Sequence, residues 1–224
     1  MLVFTLCLAT YAERVRHLPG DELVSSPGRI VTHAITIAAP THVVWPWILQ
    51  LGAGRAGWYS FDRIDNGGVP SASVIVPELQ RVDVGDVLPA VPGAVDAFLV
   101  REIRPHEALV LVVPRQTAAE EQDPLKRMSG PLRVVWTIFL ERIDGSITRL
   151  IARGRVGRNW LADSPNAPQS QRLIFIERVY SLLARLPWSA MLPIALTGHY
   201  LMESRMLRGI QRRAEADARE RRLR

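Results

Sequence analysis

The sequence is poor in cysteine and contains no long hydrophobic run. Its one cysteine, Cys7, cannot form an intramolecular disulfide, so the chain is not a disulfide scaffold and gives no sign of an oxidising compartment. No uninterrupted apolar segment reaches the roughly 18 residues that a membrane-spanning helix needs. Hydrophobic residues still make up 48% of the chain and charged residues 22%, as in folded globular proteins. A collagen-like or disordered chain is therefore excluded, and the 224 residues favour one large domain.

Lysine is also nearly absent: Lys126 is the only one, and the formal net charge of +6 is carried by arginine. Much of this excess lies in the C-terminal tail, residues 205–224, where Glu215, Asp217 and Glu220 alternate with arginines. Alternating charge at helical spacing is typical of a solvent-exposed helix with i,i+4 ion pairs; a surface for anionic lipid is the alternative. The tail has no aromatic residue that could stack on a base, so we predict no nucleic-acid partner.

Hydrophobic periodicity predicts an α+β protein. A strand at 29–38 is followed by two short helices on either side of a glycine-rich loop, then antiparallel strands and a long C-terminal helix at 197–222. The antiparallel strands are predicted at 96–103, 108–113, 132–143 and 147–157. Further predictions are an N-cap at Thr41, a short strand at 73–76, a loop over 114–131, a helix at 172–186, and helix breaks at Pro187 and Pro193.

The hairpin around Asp144–Gly145 shows the clearest period-2 pattern. In its first strand one face carries the apolar residues Val134, Trp136, Ile138 and Leu140. In its second strand an apolar face alternates with a row of arginines, namely Arg149, Arg153 and Arg155. We therefore predict that one face of the hairpin is buried and that the arginine face is exposed to solvent.

The first nine residues are apolar but lack the basic region that opens a signal peptide. This segment is either packed on the domain or the stub of a longer membrane anchor. We assign residues 1–28 to an N-terminal extension and residues 29–224 to a single domain.

Residues 52–57, Gly-Ala-Gly-Arg-Ala-Gly, match the G-x-G-x-x-G pattern of dinucleotide-binding proteins, and Glu78 lies where a ribose-binding acid would be expected. That pattern works only between a strand and a long helix, whose N-terminus meets the pyrophosphate. Here the preceding segment is helix-like and only about ten residues follow before Gly67–Gly68. We interpret the segment as a tight loop and predict no cofactor.

The histidines show no metal-binding spacing, and with one cysteine there is no Cys/His ligand set, so we predict no metal site. There is also no G-x-S-x-G nucleophile motif, and we assign no catalytic residue. The five histidines are His17, His33, His42, His106 and His199.

Two groups of residues are candidates for a binding site. Segment 57–86 mixes aromatic side chains with carboxylates, which could line the mouth of an apolar pocket. The alternative is that Asp62 and Asp65 only cap a short surface helix. On the last predicted helix, His199 and Glu203 lie one turn apart, either as an acid–base pair or as a stabilising ion pair at the rim of the core.

The segments ITIAAPTHVVWPWILQLGAGRAGWYSFDRIDN and SASVIVPELQRVDVGDVLP resemble the START-like helix-grip superfamily, also called SRPBCC. The likeness is greatest to bacterial members of the polyketide cyclase/dehydrase and lipid-transport type. The ending MLRGIQRRAE resembles the last helix of that group, so the resemblance covers about residues 29–214. It implies a curved antiparallel sheet wrapped around the long C-terminal helix, with an apolar cavity between them.

The resemblance implies binding, transport or sensing of a small hydrophobic ligand such as a lipid, quinone or polyketide-like molecule. A cyclase or dehydratase acting in the same cavity is the alternative, so whether the chain is an enzyme stays open. A cytoplasmic protein is expected, with peripheral membrane contact through 173–196 or the basic tail left open, as is the oligomeric state. The predicted cavity residues are Trp58, Tyr59, Phe61, Asp62, Asn66, Glu78, Trp136, Ile138, Leu150, His199, Glu203 and Met206.

Overall fold

The computed structural model describes residues 6–92, 97–114, 124–157 and 188–223. Within these residues, segments of alternating hydrophobic residues form six strands, and five helices flank them. The strands are β1 (Arg29–Ile37), β2 (Val87–Pro89), β3 (Ala97–Arg104), β4 (Ala108–Pro114), β5 (Leu132–Arg142) and β6 (Thr148–Val156). The helices are α1 (Tyr11–Val15), α2 (Thr41–Leu49), α3 (Asp62–Asp65), α4 (Pro124–Ser129) and α5 (Trp188–Leu223). Single 3-10 turns lie at Asp21–Leu23 and Pro77–Leu79.

The strands form one antiparallel sheet in the order β1-β6-β5-β4-β3-β2. One side, called the inner face below, carries Trp136, Ile138 and Leu140 of β5 and Leu150 of β6, all in a single apolar cluster with residues of α2 and α5. The apolar face predicted for the β5–β6 hairpin is thus confirmed. A curved antiparallel sheet packed against a long C-terminal helix is the helix-grip arrangement, so the predicted fold class is confirmed.

The helix boundaries correct several predictions. α5 begins at Trp188 and runs through Pro193 instead of starting at 197, since its many buried residues further along outweigh the hydrogen bond that one proline removes near the helix start. Pro40, and not Thr41, is the N-cap of α2, and its carbonyl accepts the amides of Val43 and Val44.

Two predictions about the connecting segments are also wrong. Residues 73–76 form no strand, and the 3-10 turn Pro77–Leu79 follows them. The segment predicted as a loop over 114–131 contains α4 in its described part. The helix predicted at 172–186 lies outside the described residues.

The glycine-rich segment forms the tight loop that was predicted. Gly52 and Gly57 exchange backbone hydrogen bonds across it, at 3.0 and 3.3 Å, and α3 begins only at Asp62. The loop therefore closes on itself and does not open into a helix at its end. At the other end of the chain the arginine-rich tail is helical to Leu223, and Arg221 pairs with Asp217 at 2.8 Å, one of the i,i+4 pairs expected there. None of the described helices combines the length and apolar character that crossing a bilayer requires.

The face predicted to be exposed on β6 is covered, which corrects the sequence interpretation. Arg153 is only 2% exposed and lies beneath the N-terminal segment, where it pairs with Asp21 at 2.7 Å. It also donates to three backbone carbonyls, those of residues 13, 14 and 16. Leu18 packs on the same side against Ile151. An arginine row is compatible with a buried face here because the covering segment supplies carboxylates and carbonyls.

Glu13 and Arg149 form a second ion pair on this outer face, with Nε–Oε1 and Nη2–Oε2 distances of 2.6 and 3.0 Å. The hydrogen bonds from Arg149 outweigh burial and lower the pKa of Glu13 to about 2. Because the folded pKa is depressed, the stabilisation is complete above the unfolded pKa of about 4.3 and is lost as the pH falls towards 2.

We therefore expect Glu13→Gln to lower the free energy of unfolding by roughly 2–3 kcal/mol at pH 7, and by about half as much at pH 3. Urea titrations of wild type and variant across this range measure the difference. Glu107→Gln, at the exposed β3–β4 turn, is the control and should change little at either pH. A wild-type-to-Glu13→Gln difference that stays constant with pH would contradict the assignment.

Candidate functional site

A cluster of polar side chains lies on the inner face where α5 crosses the sheet. His33 comes from β1, Trp136 from β5, and His199 and Glu203 from one turn of α5. We call these four residues the Glu203 cluster. Three of them, Trp136, His199 and Glu203, were predicted as site residues, and the structure brings them together.

The strand register explains how side chains from β1 and β5 reach the same carboxylate. β6 lies between these strands and pairs Ala152 with His33, and Gly154 with Trp136. The strand between them thus carries its two smallest residues at this level. The carboxylate of Glu203, from α5, contacts both His33 and Trp136.

Glu203 is 4% exposed and accepts hydrogen bonds at both carboxylate oxygens. Its Oε1 accepts the indole N–H of Trp136 at 2.9 Å. Its Oε2 contacts Nδ1 of His33 and lies 3.5 Å from Nε2 of His199. A buried carboxylate is stable only when its charge is paired and hydrogen-bonded in this way.

The protonation of the cluster follows from these contacts. Burial alone would raise the pKa of Glu203, but the hydrogen bonds and charges of His199 and His33 outweigh it and lower the pKa to about 2. Burial likewise disfavours the charged form of His199, and Glu203 outweighs this effect and raises the pKa of that imidazole. The carboxylate is therefore ionised at neutral pH. His199 is the accessible member, with 45% of its side chain exposed.

His33 is the member that sequence reasoning missed. Its ring packs edge-on against Tyr200, with centroids 5.0 Å apart, and 5.8 Å from the ring of His199. No local spacing links it to the other residues, since 170 positions separate it from Glu203. The available signal was its place in β1, where it shares the inner face with Ile35 and Ile37 at period 2.

Aromatic side chains adjoin the cluster through Trp136. The rings of Trp58 and Phe98 lie 5.6 and 5.3 Å from the ring of Trp136, and 5.7 Å from one another. We call these three residues the aromatic trio. Trp58 was a predicted site residue, whereas Phe98 was not. The rings are tilted or edge-on to one another, with interplanar angles of 44° to 72°, and form an apolar cluster beside the charged carboxylate.

The described residues leave a space on the inner face at Gly154. Gly154 is buried, yet a methyl group built on it would meet no heavy atom of the described chain within 4 Å. Gly154 pairs with Trp136 across the β5–β6 ladder, so this space borders both the aromatic trio and the Glu203 cluster. Ile138, Leu150 and Met206, which were predicted to line a cavity, pack in the adjoining apolar cluster.

The other predicted residues lie in or after the loop around α3, and two of them, Asp62 and Asn66, hold that loop together. Asp62 accepts the hydroxyl of Ser71 at 2.5 Å, and Asn66 accepts the amide of Gly54 at 3.0 Å. Phe61 lies under the guanidinium of Arg205 at 4.5 Å. Glu78 is exposed on its 3-10 turn. Within the described part of the chain, no hydrogen bond or ion pair joins these residues to the Glu203 cluster.

Tyr59 has a structural role in the same loop. Its hydroxyl accepts from Gln50 at 2.8 Å and donates to the carbonyl of Trp47 at 3.2 Å, and burial raises its pKa to about 12. The side chain of Asp65 accepts the amide of Phe61 at 3.3 Å, which agrees with the helix-capping alternative. This loop positions Trp58 without adding an ionised group to the site.

No family model matches this chain, and no curated protein matches it significantly. Solved structures do match: an aromatase/cyclase from Streptomyces sp. R1128 is 13% identical over 88% of this chain and 96% of its own, with a TM-score of 0.41. A polyketide-cyclase-like protein from Corynebacterium glutamicum is 17% identical over 86% and 94%, with a TM-score of 0.38. An HSP90 activator from Plasmodium falciparum is 11% identical over 68% and 88%, with a TM-score of 0.35. A likeness this distant says nothing about activity.

Proposed function

We propose that the chain binds a small hydrophobic molecule carrying one polar group, in the space beside Gly154 on the inner face. The observation that carries this proposal is the space that the described residues leave at buried Gly154, which pairs with Trp136. Cores are normally packed closely, so a position that no described side chain fills on this face favours a ligand.

The surroundings indicate the chemistry of the ligand. The aromatic trio offers an apolar, aromatic environment for a flat or unsaturated body. The Glu203 cluster lies at the other side of Trp136 and can orient a hydroxyl or carbonyl group through His199, its accessible member. A lipid, quinone or polyketide-like molecule combines these two features. Such a protein would act as a carrier or sensor. Peripheral membrane contact by 173–196 or the tail stays a prediction, and most of 173–196 lies outside the described residues.

Thermal unfolding with a panel of fatty acids, quinones and flat polycyclic aromatics tests the proposal. A ligand at one hundred times its Kd stabilises the folded state by about 2.7 kcal/mol, which raises Tm by roughly 5–10 °C for a chain of this size. We expect such a shift with at least one member of the panel. In Gly154→Leu, the added side chain fills the space and the shift should disappear.

Gly145→Leu is the matched control, because Gly145 lies at the tip of the same hairpin and also has no described heavy atom within 4 Å of an added methyl group. It should keep the full ligand-induced shift. Equal shifts in wild type and Gly154→Leu would place the ligand elsewhere. No shift with any member of the panel would contradict the proposed function.

A second candidate is a cyclase or dehydratase type of enzyme acting in the same space. The observation favouring it is that the Glu203 cluster borders the space through Trp136, where a bound molecule would touch polar groups as well as aromatic rings. Turnover of a bound ligand by wild type but not by Glu203→Gln, with binding retained, would establish this alternative. Binding without turnover in both proteins would leave the carrier function.

A further inference from the structure

Three side chains of the Glu203 cluster meet in a way that their sequence spacing does not reveal. The nearest ligating atoms of His33, His199 and Glu203 all lie within 4.8 Å of one another. Two imidazole nitrogens and one carboxylate oxygen form a donor set that zinc and other divalent first-row transition metals prefer. We propose that these three residues bind one such metal ion, with zinc as the reference.

The backbone arrangement suits chelation. His199 and Glu203 are separated by one turn of α5, so their side chains project from the same helix face, and their Nε2 and Oε2 atoms are 3.5 Å apart. Ligand atoms bound at about 2.0–2.2 Å around one tetrahedral zinc lie about 3.3–3.6 Å from each other. His33 supplies the third donor from β1, against which α5 packs. Side-chain adjustments on an existing scaffold are therefore sufficient for coordination.

The residues around the three proposed ligands restrict the side chains of Glu203 and His33, as residues around a metal site do. Trp136 donates to Oε1 of Glu203, which fixes the carboxylate and leaves Oε2 facing the histidines. Tyr200 packs edge-on against His33 and limits the rotation of its ring. Both Glu203 and His33 are buried, whereas His199 is half-exposed and provides an entry path from solvent.

Three protein ligands leave a fourth position for water or for an oxygen atom of a bound molecule. The expectation that the chain binds no metal rested on the spacing of histidines along the sequence. That rule does not apply to a donor that arrives from a distant strand, as His33 does. The inference stands on these residues alone and does not depend on the proposed hydrophobic ligand.

The test uses the full chain without a histidine tag, stripped with a chelator and then titrated with zinc and with cobalt(II). We expect one equivalent of zinc by elemental analysis after gel filtration, and a cobalt(II) visible spectrum of four- or five-coordinate type. His199→Ala and Glu203→Gln should each weaken binding roughly 100-fold or more. His199→Ala is the safer variant for folding, because its side chain is half-exposed.

His42→Ala is the matched control, since His42 is an exposed histidine on α2, and should bind zinc as wild type does. Less than a tenth of an equivalent in wild type would overturn the inference, as would unchanged binding in His199→Ala and Glu203→Gln when both variants show wild-type circular dichroism. The ligand panel repeated on chelator-treated protein separates the two proposals: ligand shifts that persist without metal support the binding function whatever the titration shows. Gly154→Leu should retain its zinc.

Discussion

Replacing Arg153 with methionine will lower the free energy of unfolding by about 3–5 kcal/mol. The guanidinium is 2% exposed, and its loss would leave Asp21 in a buried position without its partner at 2.7 Å. Three backbone carbonyls of the N-terminal segment would lose their donor at the same time. Urea denaturation followed by circular dichroism measures the change.

Arg155→Met is the comparison for this prediction. Arg155 belongs to the same strand face and also contacts Asp21, but at 3.5 Å and with 14% of its side chain exposed. We expect it to cost less than half as much as Arg153→Met. In the double variant Asp21→Asn, Arg153→Met the unpaired buried charge is absent, so the combined loss should be smaller than the sum of the single losses. Equal effects at Arg153 and Arg155, with strict additivity, would show that the buried pair has no special role.

The second large effect is expected at Gly209, where α5 comes closest to the loop that carries Tyr59. A methyl group at this position would lie 2.5 Å from both the Cβ and the carbonyl oxygen of Tyr59. Tyr59 has a φ of 56°, a conformation that leaves its backbone little room to move. Gly209→Ala should therefore destabilise the protein by about 1–3 kcal/mol, despite the gain of up to about 1 kcal/mol that alanine brings to a helix.

Gly198→Ala separates these opposing contributions, because it is the same exchange in the same helix. No described heavy atom lies within 4 Å of the added methyl group there. We expect a stabilisation of roughly 0.5–1 kcal/mol, from helix propensity alone. Urea titration of the two variants in parallel gives opposite signs if the contact with Tyr59 is as close as described. A stabilising Gly209→Ala would mean that the helix can move away from the loop at little cost.

Local patterns predict the β3–β4 and β5–β6 hairpins because a short turn joins the strands of each pair. The β5–β6 hairpin could be placed from Asp144–Gly145 and the period-2 apolar face alone. The burial of the arginine face of β6 could not be predicted in this way, since it depends on Asp21 and Glu13, which lie more than a hundred positions earlier in the sequence. A row of arginines looks the same in the sequence whether water or a distant carboxylate receives its hydrogen bonds.

The same distinction applies to the candidate site. His199 and Glu203 were recognisable from their helical spacing, and Trp136 from its place on the apolar face. His33 and Phe98 complete the site through tertiary contacts. The only sequence signal for these contacts is the alternation of inward- and outward-facing residues along their strands. From composition alone, Asp62 could not be distinguished from a carboxylate that contacts a ligand. In the structure it accepts the hydroxyl of Ser71 and holds the α3 loop.

The sheet order has a consequence for how the chain folds. Strands β2 to β6 follow one another as neighbours, whereas β1 pairs with β6 in a register that joins residue 29 to residue 156. Closing that long loop costs more chain entropy than forming the hairpins, so we expect β1 to dock late in refolding. His33 arrives with β1, and Glu203 arrives with the last helix. The site is therefore assembled only when both ends of the described chain have reached their native positions, and partly folded molecules lack it.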